Sequence, residues 1–253
     1  MTNILDEKVA LVTGAGRGLG RSCAILLASR GAKVVAATQT RENGEKTVEL
    51  IRAAGGEATF VQTDVSLEDD VQRMVKTALD TYGRLDCAVN NAYRNVGPQP
   101  LASISLDDWR KSMDVNLTGV FLCMKYEIEA MLKQGGGAIV NIGSGNEHTA
   151  LPGHSWYLAA KQGMYAMTKV AALDYGAQGI RVNAVAPGPM WTPSLRKAAE
   201  EEPAHVERLS SRVPIKRIAE PEEVAEAVAF LCGPGASYVQ GITMSVDGGF
   251  VLG

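Results

Sequence analysis

The 253-residue sequence contains no run of 18 apolar residues, no excess of basic charge and no paired cysteine motif. Without the first, no helix is expected to span a bilayer. With 25 Lys and Arg against 28 Asp and Glu, a formal charge of −3, there is no cationic surplus for a polyanion. Neither nucleic acid nor an anionic membrane is therefore expected as the main partner. Cys23, Cys87, Cys123 and Cys232 are widely spaced with no Cys-x-x-Cys, which argues against a disulfide framework or a zinc site and for reduced packing residues. His148, His154 and His205 lack metal-ligand spacing, so no catalytic metal is expected. The opening stretch Met1-Thr2-Asn3-Ile4-Leu5-Asp6-Glu7 is not a signal peptide, and the chain reads as cytoplasmic.

What is present is an ordinary globular composition, 46% hydrophobic and 21% charged, at a length that suits one α/β domain spanning residues 1–253. Lys8-Val9-Ala10-Leu11-Val12-Thr13 is a short apolar run, followed by glycines and then a helical pattern through Leu19, Ala24, Leu26 and Leu27. That reads as buried strand, tight turn and helix. The unit repeats, with strands expected near 33–38, 58–63 and 85–90 and helices near 42–54 and 67–82. Such alternation calls for parallel crossovers and a Rossmann-like doubly wound sheet with helices on both faces. Ser105-Leu106-Asp107-Asp108 opens a long amphipathic segment to about Lys133, ended by Gly135-Gly136-Gly137. Strands at 138–142, 181–185 and 242–246 and helices at about 155–176 and 221–231 complete the pattern. The charge-rich stretch 189–215 reads as a mobile excursion and a candidate substrate lid.

Thr13-Gly14-Ala15-Gly16-Arg17-Gly18-Leu19-Gly20 falls between the first strand and first helix. Glycines there let the backbone approach a pyrophosphate, and the helix N-terminus favours its charge, so this is a dinucleotide site. The spacing is Gly-x-x-x-Gly-x-Gly, a variant of the general fingerprint. The second strand runs into Thr38-Gln39-Thr40-Arg41 with no carboxylate to bind a ribose 2′-hydroxyl. Arg17 and Arg41 supply two cations for a 2′-phosphate, so NADP(H) is expected over NAD(H). If both arginines are merely solvated, the cofactor is NAD.

Tyr157-Leu158-Ala159-Ala160-Lys161 places a phenol and an ammonium one helical turn apart on one face. A fixed cation that close is expected to lower the phenol pKa towards the range of a general acid/base.

With Thr13 to Gly20, Asn90-Asn91-Ala92, Asn116, Ser144, Tyr157, Lys161 and Pro187-Gly188 all in order, the chain resembles the short-chain dehydrogenase/reductase family over nearly its whole length. The resemblance implies a Rossmann-like fold and a hydride transfer between a nicotinamide cofactor and a ketone or secondary alcohol. It implies that Gly14, Arg17, Gly18, Leu19 and Gly20 hold the pyrophosphate, Asp64 and Val65 the adenine, and Asn91 and Ala92 the middle of the cofactor. Pro187, Gly188, Met190 and Thr192 would border the nicotinamide. Ser144 would bind the substrate oxygen, Tyr157 exchange its proton, Lys161 hold the nicotinamide ribose and Asn116 support a water relay.

Tyr93 departs from the family, which usually has glycine after Asn-Asn-Ala. Its ring either walls the substrate pocket or covers a neighbouring helix. Tyr93, His154, Trp156, Met190 and Trp191 suggest an apolar, partly aromatic pocket, although His154 and Trp156 also read as packing residues. The resemblance further implies a homotetramer. Two other readings stay open: a 3-oxoacyl thioester reductase, and a non-catalytic dinucleotide-binding sensor.

Overall fold

All but the last strand of the central sheet are apolar on both sides, and the two sides feed two separate cores. In the computed structural model, which describes residues 4–145 and 150–252, strand β1 (Val9–Thr13) is buried throughout. Its Ala10 and Val12 face one core while Val9 and Leu11 face the other. Strands β2 (Lys33–Thr38), β3 (Ala58–Gln62), β4 (Cys87–Asn90), β5 (Gly137–Ile142), β6 (Ile180–Pro187) and β7 (Thr243–Val246) join it in the order β3-β2-β1-β4-β5-β6-β7. Every pairing is parallel. Sheets of this kind need helices over both faces, which accounts for near-continuous apolar strands where a half-exposed sheet would alternate.

One face is covered by α1 (Gly18–Ser29), α2 (Arg41–Ala53) and α9 (Pro221–Cys232), whose Cys23, Leu27, Ile51, Val224 and Val228 lie in the first core. The other is covered by α3 (Glu68–Tyr82), α5 (Gly119–Gln134) and α6 (Ser155–Tyr175), with Val71, Met74, Met131 and Met164 in the second. Local signals end these helices. Gly83 and Gly135 take left-handed φ of 79° and 85° after α3 and α5, and Glu220 with Glu223 forms a capping box around Pro221.

Two segments differ in detail from the sequence expectation. The long amphipathic stretch is one helical path with a widened turn: α4 (Leu106–Met113) runs through a π-turn (Asp114–Thr118) into α5. The Ser105 hydroxyl accepts from the Asp108 N–H at 3.0 Å, as the capping pattern requires. The stretch 189–215 is not simply irregular. It holds two short helices, α7 (Pro193–Glu201) and α8 (Pro203–Ser211), each started by proline at its first position and neither burying a residue. Met1–Asn3 of the N-terminal stretch, and His148 among the three histidines, lie outside the described residues.

Candidate active site

The strand order reverses between β1 and β4, the switch point at which sheets of this kind take a ligand beyond the C-terminal ends of their strands. The expected residues follow the strand ends one after another: the glycine turn after β1, Thr38 at the end of β2, Asp64 and Val65 after β3, Asn91 to Tyr93 after β4, Ser144 after β5, Gly188 to Thr192 after β6.

The glycine turn is braced from β4. Thr13 Oγ1 accepts from the N–H groups of Asn91 (2.9 Å) and Ala92 (3.1 Å), while Asn91 Nδ2 donates to the Thr13 carbonyl at 3.1 Å. Gly14 has φ +64°, and a Cβ there would lie 2.8 Å from Asn91 Nδ2. A Cβ on Gly20 would stand 2.3 Å from the Gly14 carbonyl oxygen, so α1 could not approach the turn with any other residue. Gly18 is different. Its φ is +52° and the space beside it is open except for Pro193 Cδ at 3.6 Å. Helix α1 starts there with no side-chain cap and no acidic residue in its first turn. Uncapped N–H groups beside open space suit an anionic pyrophosphate, so these residues fit a dinucleotide.

The two expected 2′-phosphate cations are both exposed. The Arg17 side chain has no hydrogen-bond or ion-pair partner among the described residues, its carbonyl accepting from the Arg21 N–H. Arg41 pairs with Glu45 at 3.0 Å and lies over the Phe60 ring. Arg21, which sequence reasoning passed over, donates to the Gly16 and Asn43 carbonyls and to Thr47 Oγ1, fastening the glycine turn to α2. Asp64 accepts from Gln39 at 2.7 Å and from the Ser66 hydroxyl at 2.6 Å. Val65 is buried against Gly119.

On the opposite wall, α6 presents Tyr157, Lys161 and Tyr165 at successive turns. The Tyr157 and Ser144 side chains are hydrogen-bonded. Ser144 is itself pinned: its N–H donates to the Tyr165 hydroxyl at 2.7 Å, and that hydroxyl donates to the Ser144 carbonyl at 3.0 Å. Tyr165 was not among the expected residues, although its four-residue spacing from Lys161 was the available signal. Lys161 is buried, with Nζ 2.6 Å from the Ile142 carbonyl and 5.8 Å from the Tyr157 ring centroid.

The expected lowering of the Tyr157 pKa is not met in the protein alone. Burial raises the phenol above its ordinary value, and the Ser144 hydrogen bond lowers it by less. Burial likewise pushes Lys161 down to about 8. Desolvation penalises the charged form of each group.

The Asn116 side chain is fully engaged. Nδ2 donates to the Arg94 carbonyl (2.9 Å) and to Ser112 Oγ (3.0 Å), and Oδ1 accepts from the Arg94 N–H at 2.9 Å. It has no free N–H for a relay water, so any such contact would run through the backbone of the π-turn. Beyond β6, Gly188 lies so close to Asp247 that a Cβ would be 2.6 Å from its Cα. Met190 pairs with Ala219 in a parallel bridge, and Thr192 Oγ1 caps α7 through the Leu195 N–H at 3.1 Å. Trp191 is half-buried under the Arg196 guanidinium.

Tyr93 packs on the first turn of α6, its ring edge-on to Tyr157 (5.6 Å between centroids) and stacked on Trp156 at 6.4 Å. Trp156 is wholly buried and donates to the Gly97 carbonyl, and His154 tilts against it at 5.9 Å. Among the described residues no three His, Cys, Asp or Glu side chains cluster as metal ligands would.

A dinucleotide cradle facing a Ser-Tyr-Lys set defines a nicotinamide-dependent oxidoreductase acting on CH–OH and C=O groups. The family model described as enoyl-(acyl carrier protein) reductase matches residues 14–251. The chain is 43% identical over 247 residues to a 2,5-dichloro-2,5-cyclohexadiene-1,4-diol dehydrogenase of Sphingobium indicum, covering 97% of this chain and 98% of that one. It is 42% identical to a cyclohexanol dehydrogenase of an Acinetobacter species, covering 99% and 97%. A solved structure of a variant actinorhodin polyketide ketoreductase with NADPH superposes with a TM-score of 0.93 at 35% identity, covering 99% of each chain. The chain belongs to the short-chain dehydrogenase/reductase family.

Proposed function

We propose that the protein interconverts an apolar cyclic ketone and its secondary alcohol, with NADP(H) as cofactor. The observation that carries this reading is the hydrogen-bonded Tyr157–Ser144 pair lying against the Tyr93 ring, at the crevice that also holds the glycine turn. The two relatives named for ring alcohols support the same substrate shape.

When bound, the reduced nicotinamide supplies the hydride. Ser144 Oγ holds the carbonyl oxygen, and Tyr157 gives that oxygen its proton as the new C–H bond forms. In oxidation Tyr157 takes the proton back. Lys161 holds the nicotinamide ribose, and with a pKa of about 8 it is present in both protonation states near neutral pH. Asn116 fixes the backbone at Arg94 and hence the loop that carries Tyr93. Gly14, Arg17, Gly18, Leu19 and Gly20 bind the pyrophosphate, Asp64 and Val65 the adenine, Asn91 and Ala92 the middle of the cofactor, and Pro187, Gly188, Met190 and Thr192 the nicotinamide end. Arg17 and Arg41, beside Thr38, receive the 2′-phosphate; Arg17 is without a competing carboxylate among the described residues. Tyr93, His154 and Trp191 line the substrate side, and 189–215 acts as its lid, since Pro193 at the head of α7 already borders Gly18.

The exposed apolar side chains Phe121, Val170 and Leu173 on α5 and α6, with Leu252 at the C-terminal end, support assembly into a homotetramer. Four free, buried thiols fit a reducing cytoplasm. Among the described residues no helix is long and apolar enough to cross a membrane.

The test is oxidation of NADPH and of NADH, followed by absorbance, on cyclic ketones and on a 3-oxoacyl thioester. Faster turnover of the ring ketones with NADPH is expected. A preference for the thioester would install the acyl-chain reading, and cofactor binding without turnover on either would install the sensor reading.

A further inference from the structure

Tyr93 stands where the family usually has glycine, and the structure shows which way its side chain goes. The ring turns from the glycine turn towards α6, edge-on to Tyr157 and stacked on Trp156. Its loop is held at both ends. At Arg94 both backbone polar groups bond to Asn116, at 2.9 Å each. At the far end the Gly97 carbonyl accepts from Trp156 Nε1 (3.1 Å), and the Gln99 N–H donates to the Gly153 carbonyl at 2.8 Å. Gly153 has φ +76°, and a Cβ there would approach Pro98 to 3.1 Å, so the clamp closes without room for a side chain.

This arrangement is preorganised and only half covered. Trp156 behind it is wholly buried, yet Tyr93 keeps 49% of its surface exposed and its hydroxyl has no hydrogen-bond partner among the described residues. A rigid aromatic face beside a proton donor contacts a flat or puckered six-membered ring over its whole area. An open chain of equal carbon number meets the same face with fewer atoms and loses rotational freedom in doing so.

We infer that Tyr93 is a specificity-determining residue, its ring forming the wall that selects cyclic over open-chain carbonyl substrates at Tyr157. The inference rests on the ring-ketone reading above.

The experiment compares kcat/KM for cyclohexanone and 2-hexanone, in the wild type and in Tyr93→Gly, Tyr93→Phe and Tyr93→Leu. Each variant is first checked for cooperative melting and for NADPH binding by fluorescence. The ring-to-chain ratio is expected to fall about tenfold in Tyr93→Gly, mainly through a higher KM for cyclohexanone, the size of effect one apolar contact gives. Tyr93→Phe keeps the wall and should stay within about twofold of the wild-type ratio. If Tyr93→Gly does not fold, Tyr93→Leu makes the same comparison, with a bulky side chain that is not flat. An unchanged ratio in Tyr93→Gly or Tyr93→Leu, or an equal loss in Tyr93→Phe, would overturn the inference while leaving the ring-ketone reading intact. A wild type that binds NADPH but reduces no ring ketone would overturn both.

Discussion

Lys161 extends its amine beneath the Tyr157 ring, 5.8 Å from the centroid, and anchors it on the Ile142 carbonyl. Tyr157 is half-buried and Lys161 buried, and that burial raises the phenol while lowering the amine. A phenol with a raised pKa keeps its proton at neutral pH, which suits it to act as an acid. Reduction of the ketone should therefore hold its rate from about pH 6 to 8, and oxidation of the alcohol should rise with pH as the phenolate appears. Initial rates in both directions across pH 6 to 10 check this; an oxidation rate that falls with pH would contradict it.

Lys161 also weighs on stability. Its folded pKa of about 8 lies below the unfolded value of 10.5, so between those limits unfolding takes up a proton. Stability from this group therefore rises with pH through that window, and below about pH 8 it carries the full penalty, on the order of 3 kcal/mol. Replacing Lys161 by Met removes the titration. The wild type should gain stability relative to Lys161→Met as pH rises from 7.5 to 10, measured by urea unfolding.

Glu127 on α5 shows the opposite sign. It is wholly buried, accepts one hydrogen bond from Asn90 Nδ2 at 3.0 Å, and its Oε1 has no partner among the described residues. Cys123 is the titratable group identified beside it. Burial pushes its carboxyl up to about 7 from 4.5, so the folded state binds the proton more tightly and stability is lost as pH rises between those values. Glu127→Gln stays neutral. It should match the wild type near pH 4.5 and exceed it by up to roughly 3 kcal/mol above pH 7.5.

The glycines of the turn separate folding from binding. A Cβ on Gly20 collides with the Gly14 carbonyl, whereas a Cβ on Gly18 enters open space at the start of α1. Gly20→Ala should destabilise the chain by several degrees in Tm. Gly18→Ala should lose only about 1–2 kcal/mol for its left-handed backbone while weakening NADPH binding at least tenfold. Calorimetry alongside a cofactor titration distinguishes the two.

Much of this was legible in the sequence because strand, glycine turn and helix each leave a local mark. Short apolar runs bounded by turn residues placed the strands, and the glycine turn lies between β1 and α1 where its spacing put it. What escaped depends on contacts between distant segments. Arg21 fastens Gly16 to Asn43, Tyr165 pins Ser144, and Asn90 joins Glu127 to Asn141, and each pairing forms only when separate elements pack. The Tyr157 pKa was misjudged for the same reason. Spacing reports that a cation is near, but only the fold reports how dry the site is. The π-turn at Asn116 was hidden because a single widened turn leaves the helical pattern intact.

Tyr157→Phe is the most direct test, since it keeps the ring packed against Tyr93 and Trp156 and removes only the hydroxyl. With NADPH binding shown intact by fluorescence, ketone reduction should fall by about 10²- to 10⁴-fold, the range of a lost general acid. A rate within a few-fold of the wild type would contradict proton transfer from Tyr157.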